Sequence, residues 1–167
     1  MKKWVWIFIA LSLVLMSACQ RRQSTDIDLI GESVVERYSG ISYRSKCKLP
    51  RELRGIGKYK INCLVSEEEG AWAASFSTGR PAFFYQLAQA SYRHIGSTNV
   101  PGEHLEPDYL KHAILVYEKP TRRDNCFRRI YIDARDLLQS TSNELPKGSQ
   151  IIIADPWALY CRKDEMK

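Results

Sequence analysis

The stretch Ile41–Val65, ISYRSKCKLPRELRGIGKYKINCLV, decides how this chain folds. At its start Ile41, Tyr43, Ser45, Cys47 and Leu49 alternate with Ser42, Arg44, Lys46 and Lys48. Further on, Tyr59, Ile61, Cys63 and Val65 alternate with Lys60, Asn62 and Leu64. A period of two marks half-buried strands, because successive side chains point to opposite faces of a sheet. Pro50–Lys58 between them contains Gly55 and Gly57, so the two runs are predicted to form a hairpin with a wide loop. Placing Cys47 opposite Cys63 centres the hairpin on Gly55 and puts both cysteines on the inward face. A bond between them then asks little of the backbone.

Downstream, Glu67–Gly70 marks a turn, and Trp72, Ala74 and Phe76 alternate with Ala73, Ser75 and Ser77 as a third strand. Gly79-Arg80-Pro81 opens a helix over 81–95. Pro81 suits a first helical position, where its missing N–H would have no partner. Phe84, Leu87, Ala88, Ser91 and Ile95 form one stripe, and Gly96 is placed to stop it. Residues 96–108 read as a long loop. Strands are predicted at 113–118, 127–133, 150–154 and 158–162, with a helical turn at 136–139, a loop at 140–149 and a turn at Asp155-Pro156. Cys126 begins one of these strands and Cys161 ends another, so antiparallel pairing brings them together.

Upstream, Ile27, Ile30, Val34 and Tyr38 recur at helical spacing behind Thr25. Asp28, three residues after Thr25, completes a capping box, and Gly40 ends the run, giving a helix over 26–38. No internal repeat, low-complexity tract or linker interrupts 27–162. The fold class is therefore α+β, one globular domain over 27–167. An antiparallel or mixed sheet of about six strands packs against one main helix, with the N-terminal helix beside it.

Met1–Cys19, MKKWVWIFIALSLVLMSAC, sets the compartment. Lys2 and Lys3 precede an apolar run, Trp4–Met16, of signal-peptide length and short for a permanent span. The ending Met16-Ser17-Ala18-Cys19 resembles the lipobox of bacterial lipoproteins, whose cysteine is acylated and becomes the first mature residue. The resemblance implies a signal peptide at 1–18, lipidation at Cys19 and a lipidated tether at 19–26. The domain is then held in the cell envelope, facing the periplasm. In the Gram-negative sorting pattern an aspartate after the cysteine retains the protein in the inner membrane, so Gln20 points to the outer membrane. One acyl chain holds only weakly, at about 0.8 kcal/mol per buried methylene; lipoproteins carry a diacylglycerol plus an N-acyl chain.

Five cysteines are an odd number for an exported chain. With Cys19 assigned to lipid, Cys47, Cys63, Cys126 and Cys161 remain, and an oxidising periplasm predicts two disulfides. Cys47–Cys63 is the first expected bridge and Cys126–Cys161 the second. Their wide spacing, with no CxxC knuckle, fits zinc poorly.

The 25 Lys and Arg against 19 Asp and Glu give +6 over 167 residues. Loss of residues 1–18 removes two lysines and no acid, leaving 149 residues at +4. That is one domain's worth of chain and well short of a nucleic-acid signature. The cations form two clusters: Arg44, Lys46, Lys48, Arg51, Arg54, Lys58 and Lys60 against Glu52, and Lys119, Arg122, Arg123, Arg128 and Arg129 around Asp124. Either would steer an acidic partner or an anionic surface. The plain alternative is a solvated face that keeps edge strands from pairing.

Catalytic patterns are sparse. GxSxG, a glycine-rich phosphate loop and a dinucleotide fingerprint are missing, and Ser75–Gly79 (SFSTG) reads as a strand end leading into a helix. Glu103, His104, Glu106, Asp108 and His112 gather metal-ligating types without HExxH spacing, and His94 stands apart. Asp133, Asp136 and Asp155 fall where strand ends and turns favour Asp. The expectation is a non-enzymatic envelope lipoprotein with no cofactor, metal or nucleic acid, tied to the membrane through Cys19 and binding an envelope protein. One form of it is an immunity protein against a toxin delivered to the periplasm. The alternatives are an assembly lipoprotein recognising anionic membrane or cell-wall components, and a small hydrolase using the acids near Asp133 and Asp155.

Overall fold

A computed structural model of the chain describes residues 25–54, 59–71, 76–77, 80–101, 105–106, 114–138 and 146–162. The predicted signal peptide, Cys19 and the predicted tether as far as residue 24 lie outside these, as do Lys58, 72–75, His104 and His112. Helix α1 (Asp26–Arg37) is followed by β1 (Ile41–Arg44), a 3-10 turn (Arg51–Leu53), β2 (Tyr59–Ser66), the short pair β3 (Phe76–Ser77) and β4 (Arg80–Pro81), and helix α2 (Ala82–Gln89). Then come β5 (Arg93–Thr98), β6 (Ile114–Pro120), β7 (Cys126–Asp133), α3 (Arg135–Leu138), β8 (Gln150–Pro156) and β9 (Tyr160–Cys161). The main sheet has seven strands in the order β1-β2-β8-β7-β6-β5, with β9 also on β7, and every pairing is antiparallel. The domain is α+β, and no described helix is long and apolar enough to cross a membrane.

Both faces of the sheet are buried. On the first, Leu64, Leu115, Ile130, Ile132, Ile151 and Ile153 lie under Ile27, Ile30 and Val34 of α1 and Phe83 and Leu87 of α2. On the second, Cys63, Val65, Ile114, Val116, Tyr131, Ile152 and Ala154 lie with Leu53 of the β1–β2 connection. This is why the central strands read as unbroken apolar runs, Ile151–Ala154 and Ile130–Ile132, and not as alternations. Each fully buried isoleucine contributes about 2 kcal/mol.

The predicted hairpin register is corrected. β1 is four residues long, and Arg44, not Cys47, lies opposite Cys63. Continuing β1 in this register would set Lys46 and Lys48 beside Ile61 and Tyr59 on the apolar second face. The chain instead leaves the sheet after Arg44 and crosses over that face. The crossing is held by the Cys47–Cys63 disulfide, with Cα atoms 5.9 Å apart, and by buried Leu53. Gln150 clamps it further: its Nε2 donates to Lys48 O at 2.6 Å and its Oε1 accepts from Lys48 N–H at 3.3 Å.

The capping box at Thr25 and Asp28 is present, and α1 ends at Tyr38. It runs along the first face from the end marked by Lys60 and Asp155 to the end marked by Ser66 and Gln150. The second helix is shorter than predicted. Ser91, at φ 68°, closes it: Ser91 N–H donates to Ala88 O and Tyr92 N–H to Leu87 O, the Schellman arrangement. Tyr92 and Leu87 are both buried, and this packing offsets the roughly 1–2 kcal/mol of a left-handed non-glycine residue. Ile95 therefore belongs to a strand, and β5 occupies the start of the predicted loop. Gly96 (φ +146°) sits at a bulge in β5 where a Cβ would stand 2.3 Å from Glu106 O. That space lets Ser97 and Glu106 exchange two backbone hydrogen bonds at 2.9 Å.

Of the third predicted strand, Phe76–Ser77 is described and pairs with Arg80–Pro81 apart from the main sheet, while residues 72–75 lie outside the described residues. Asp155 and Pro156 are not a turn but strand residues opposite Lys60 and Tyr59. The chain bulges out at Trp157–Leu159 and rejoins β7 two residues out of step, where Cys126 faces Cys161 in the second disulfide, Cα atoms 4.0 Å apart.

Candidate functional site

The crossing segment builds one wall of a cleft of about 490 Å³. Leu53 N–H closes the 3-10 turn on Pro50 O at 3.1 Å, and the buried Leu53 side chain plugs the sheet, so Arg51 and Arg54 turn outward. Opposite stand Asp133, Arg135 and Asp136 at the β7–α3 junction and Gln150 at the start of β8. Arg135 grips buried Asp133 through Nε at 3.1 Å and Nη2 at 2.6 Å, and also reaches Glu52 at 3.2 Å. The hydrogen bond to Asp133 raises the Arg135 guanidinium further despite some desolvation. Asp136 accepts from Gln150 N–H at 2.9 Å. Glu52 and Asp133 are thus ion-paired with Arg135, while Lys48, Arg51 and Arg54 stay exposed at the rim without an ion pair among the described residues, Arg54 Nε donating to Leu49 O at 3.2 Å. Such a cleft attracts acidic side chains or other anions.

The other predicted members of that cluster go elsewhere. Lys46 is exposed on the crossing, and Arg44 lies 3.5 Å from Glu67 at the surface. Lys60 is under α1, its Nζ 2.5 Å from Asp28. In the second cluster Arg122 and Arg123 are exposed on the β6–β7 turn, whereas Arg128 and Arg129, being neighbours on a strand, point to opposite faces. Arg128 binds buried Asp155 at 2.5 Å. Arg129 binds buried Glu118, which Arg162 also reaches, and lies 3.7 Å from the centre of the Tyr160 ring.

Sequence reasoning missed the polar belt under the first turn of α1. Asp28 accepts from Tyr43 Oη at 3.0 Å, Asn62 Nδ2 at 3.1 Å, Lys60 Nζ and Thr25 N–H. Burial alone would raise its carboxyl; the Lys60 bond, then those from Thr25 and Tyr43, outweigh burial and hold it below the ordinary range. At Asp155 burial wins over Arg128 and the carboxyl is pushed up. Lys119 closes the row on Asp26 at 2.6 Å. Three cations, Lys60, Arg128 and Lys119, so face three carboxylates at one end of the first face. The Thr25–Asp28 spacing was visible only as a helix cap.

Asp133 and Asp155 are not brought together: they stand on opposite faces and at opposite ends of the sheet. His94 Nε2 pairs with Gly96 O at 3.0 Å, and its ring stacks on Tyr117 at 4.9 Å. Of the acid–histidine run 103–112 only Glu106 is described, and among the described residues no three His, Cys, Asp or Glu gather as metal ligands. No family model, curated protein or solved structure matches the chain.

Proposed function

We propose that the chain is a lipid-anchored protein of the bacterial envelope that binds an acidic surface of a partner protein without catalysis. Its binding site is the cleft rimmed by Lys48, Arg51 and Arg54. The observation that carries this reading is the uneven pairing of charge: Glu52 and Asp133 are ion-paired with Arg135 and Asp136 accepts from Gln150 N–H, whereas Lys48, Arg51 and Arg54 are exposed and form no ion pair with a described residue. The crossing that presents them is fixed by a disulfide, a buried leucine and the Gln150 clamp, which gives the preorganised geometry that lowers the cost of binding. An immunity protein facing a toxin delivered to the periplasm is the specific form we favour, with the outer membrane as its seat.

Affinity capture of the acylated protein and its R51E/R54E variant from the native envelope tests this. Reversing two rim charges should weaken recovery of the partner at least tenfold, while R122E/R123E leaves it unchanged. Equal recovery by all three forms would mean that the cleft is a solvated surface and the reading is wrong.

A further inference from the structure

A second surface stands at the other end of the sheet. After Pro156 the chain bulges away from β7, and Trp157, Leu159 and Tyr160 are 75%, 44% and 42% exposed. The neighbouring β6–β7 turn carries exposed Arg122 and Arg123, with Asp124 as its acid. The Cys126–Cys161 bond and the Arg162 N–H to Asn125 O hydrogen bond tie that turn to the bulge. Helix α1 starts at this same end. Asp26 is bonded to Lys119, just before the turn, and Asp28 to Lys60, which lies opposite Asp155, two residues before Trp157.

From this placement we infer that this end of the domain rests on an anionic bilayer surface. Trp157, Leu159 and Tyr160 enter the boundary between headgroups and acyl chains, and Arg122 and Arg123 meet lipid phosphates. The inference rests on the lipid anchor proposed above. Thr25 lies six positions after Cys19, and a fully extended chain covers at most about 3.6 Å per residue. The end of the domain that carries Thr25 is then held within about 22 Å of the acylated cysteine. Trp and Tyr favour the water–membrane boundary because each joins an apolar ring to a polar tip, and juxtamembrane Arg is drawn to anionic headgroups. The binding cleft, at the Gln150 end of the sheet, then faces away from the lipid.

The test uses the mature acylated protein. Trp4 and Trp6 leave with the signal peptide, so W72F makes Trp157 the one tryptophan left. In vesicles of phosphatidylglycerol and brominated phosphatidylcholine, Trp157 emission should shift to the blue and be largely quenched. As a measurement independent of that variant, hydroxyl-radical oxidation of Trp157 and Tyr160 in the wild-type chain should fall several-fold on vesicles relative to the unacylated chain of residues 20–167 in solution. R122E/R123E should reduce both effects on anionic vesicles. A protein that carries acyl mass and floats with vesicles, yet keeps Trp157 unquenched and oxidised, overturns the inference and leaves the anchor standing. Protection that follows protein density and ignores lipid type assigns the patch to a second copy and also overturns it. Absence of acyl mass on Cys19 removes the anchor and the inference together.

Discussion

Arg128→Met isolates the buried ion pair of the polar belt, keeping an apolar stem of similar length while removing the charge that faces Asp155. The Asp155 side chain is 2% exposed, and its Oδ2 takes one hydrogen bond, from Arg128 at 2.5 Å. Removing one partner of a buried pair costs about 3–5 kcal/mol, against a typical domain stability of about 5–15 kcal/mol. The deficit should also depend on pH. Burial already raises the Asp155 carboxyl above its unfolded value of 3.8, with Arg128 pulling it down, so the variant raises it further. A carboxyl raised on folding contributes stability fully below the unfolded value and loses it as pH rises through the folded one. R128M should therefore be nearly as stable as the wild type at about pH 4 and several kcal/mol weaker at about pH 8. The double variant R128M/D155L should recover most of the loss. Asp155 Oδ1 and Arg128 Nε make no hydrogen bond among the described residues, so the native pair is incompletely satisfied and its apolar replacement is tolerated. Urea unfolding with disulfides intact, followed by fluorescence across this pH range, measures all three. A pH-independent R128M deficit under about 1 kcal/mol would show that the pair behaves as a solvated surface bridge and would refute the reasoning.

Tyr43→Phe removes a hydroxyl that donates to Asp28 and accepts from Asn62 Nδ2, and should cost about 1–3 kcal/mol. Because Asp28 is held low, its contribution is present above the unfolded value and lost as pH falls through the folded one, so Y43F should unfold at a higher pH in an acid titration followed by circular dichroism. Gly96→Ala drives a Cβ to 2.3 Å from Glu106 O at a positive φ, and should cost about 1–3 kcal/mol and release the Ser97 and Glu106 amides to hydrogen exchange. C47S/C63S and C126S/C161S, which open separations of 16 and 35 residues, should lose about 3 and about 4 kcal/mol in thermal or urea unfolding. Capture of the acidic partner should fall in C47S/C63S alone, since that bridge shapes the cleft.

What could be read from the chain was what neighbouring residues decide between themselves. The Thr25–Asp28 cap starts α1 where the spacing placed it, and the apolar runs at Ile130 and Ile151 became central strands. The Cys47–Cys63 bond was expected and is present, though for the wrong reason: a register with Cys47 opposite Cys63 was assumed, and the bond forms across a chain reversal. That reversal depends on the second face being as apolar as the first, a tertiary fact no alternation in 41–49 reveals. Ser91 in a left-handed cap ended a helix whose stripe ran on to Ile95, because packing of Tyr92 outweighed backbone preference. The basic clusters misled for a simpler reason. Lys60, Arg128 and Arg129 look like surface charge until Asp28, Asp155 and Glu118 arrive from other elements to bury them.

The polar belt also decides how the domain answers mechanical load. Tension entering through Thr25 reaches α1, which is not a strand, so no rung of the sheet is sheared directly. The pull meets the Asp26–Lys119 bridge first, then Ile27 packed on the first face and Asp28 held by Tyr43, Lys60 and Asn62, before it reaches Ile30. With the proposed anchor at Cys19, a tug on the tether therefore falls on the first turn of one helix, at the pole opposite the cleft.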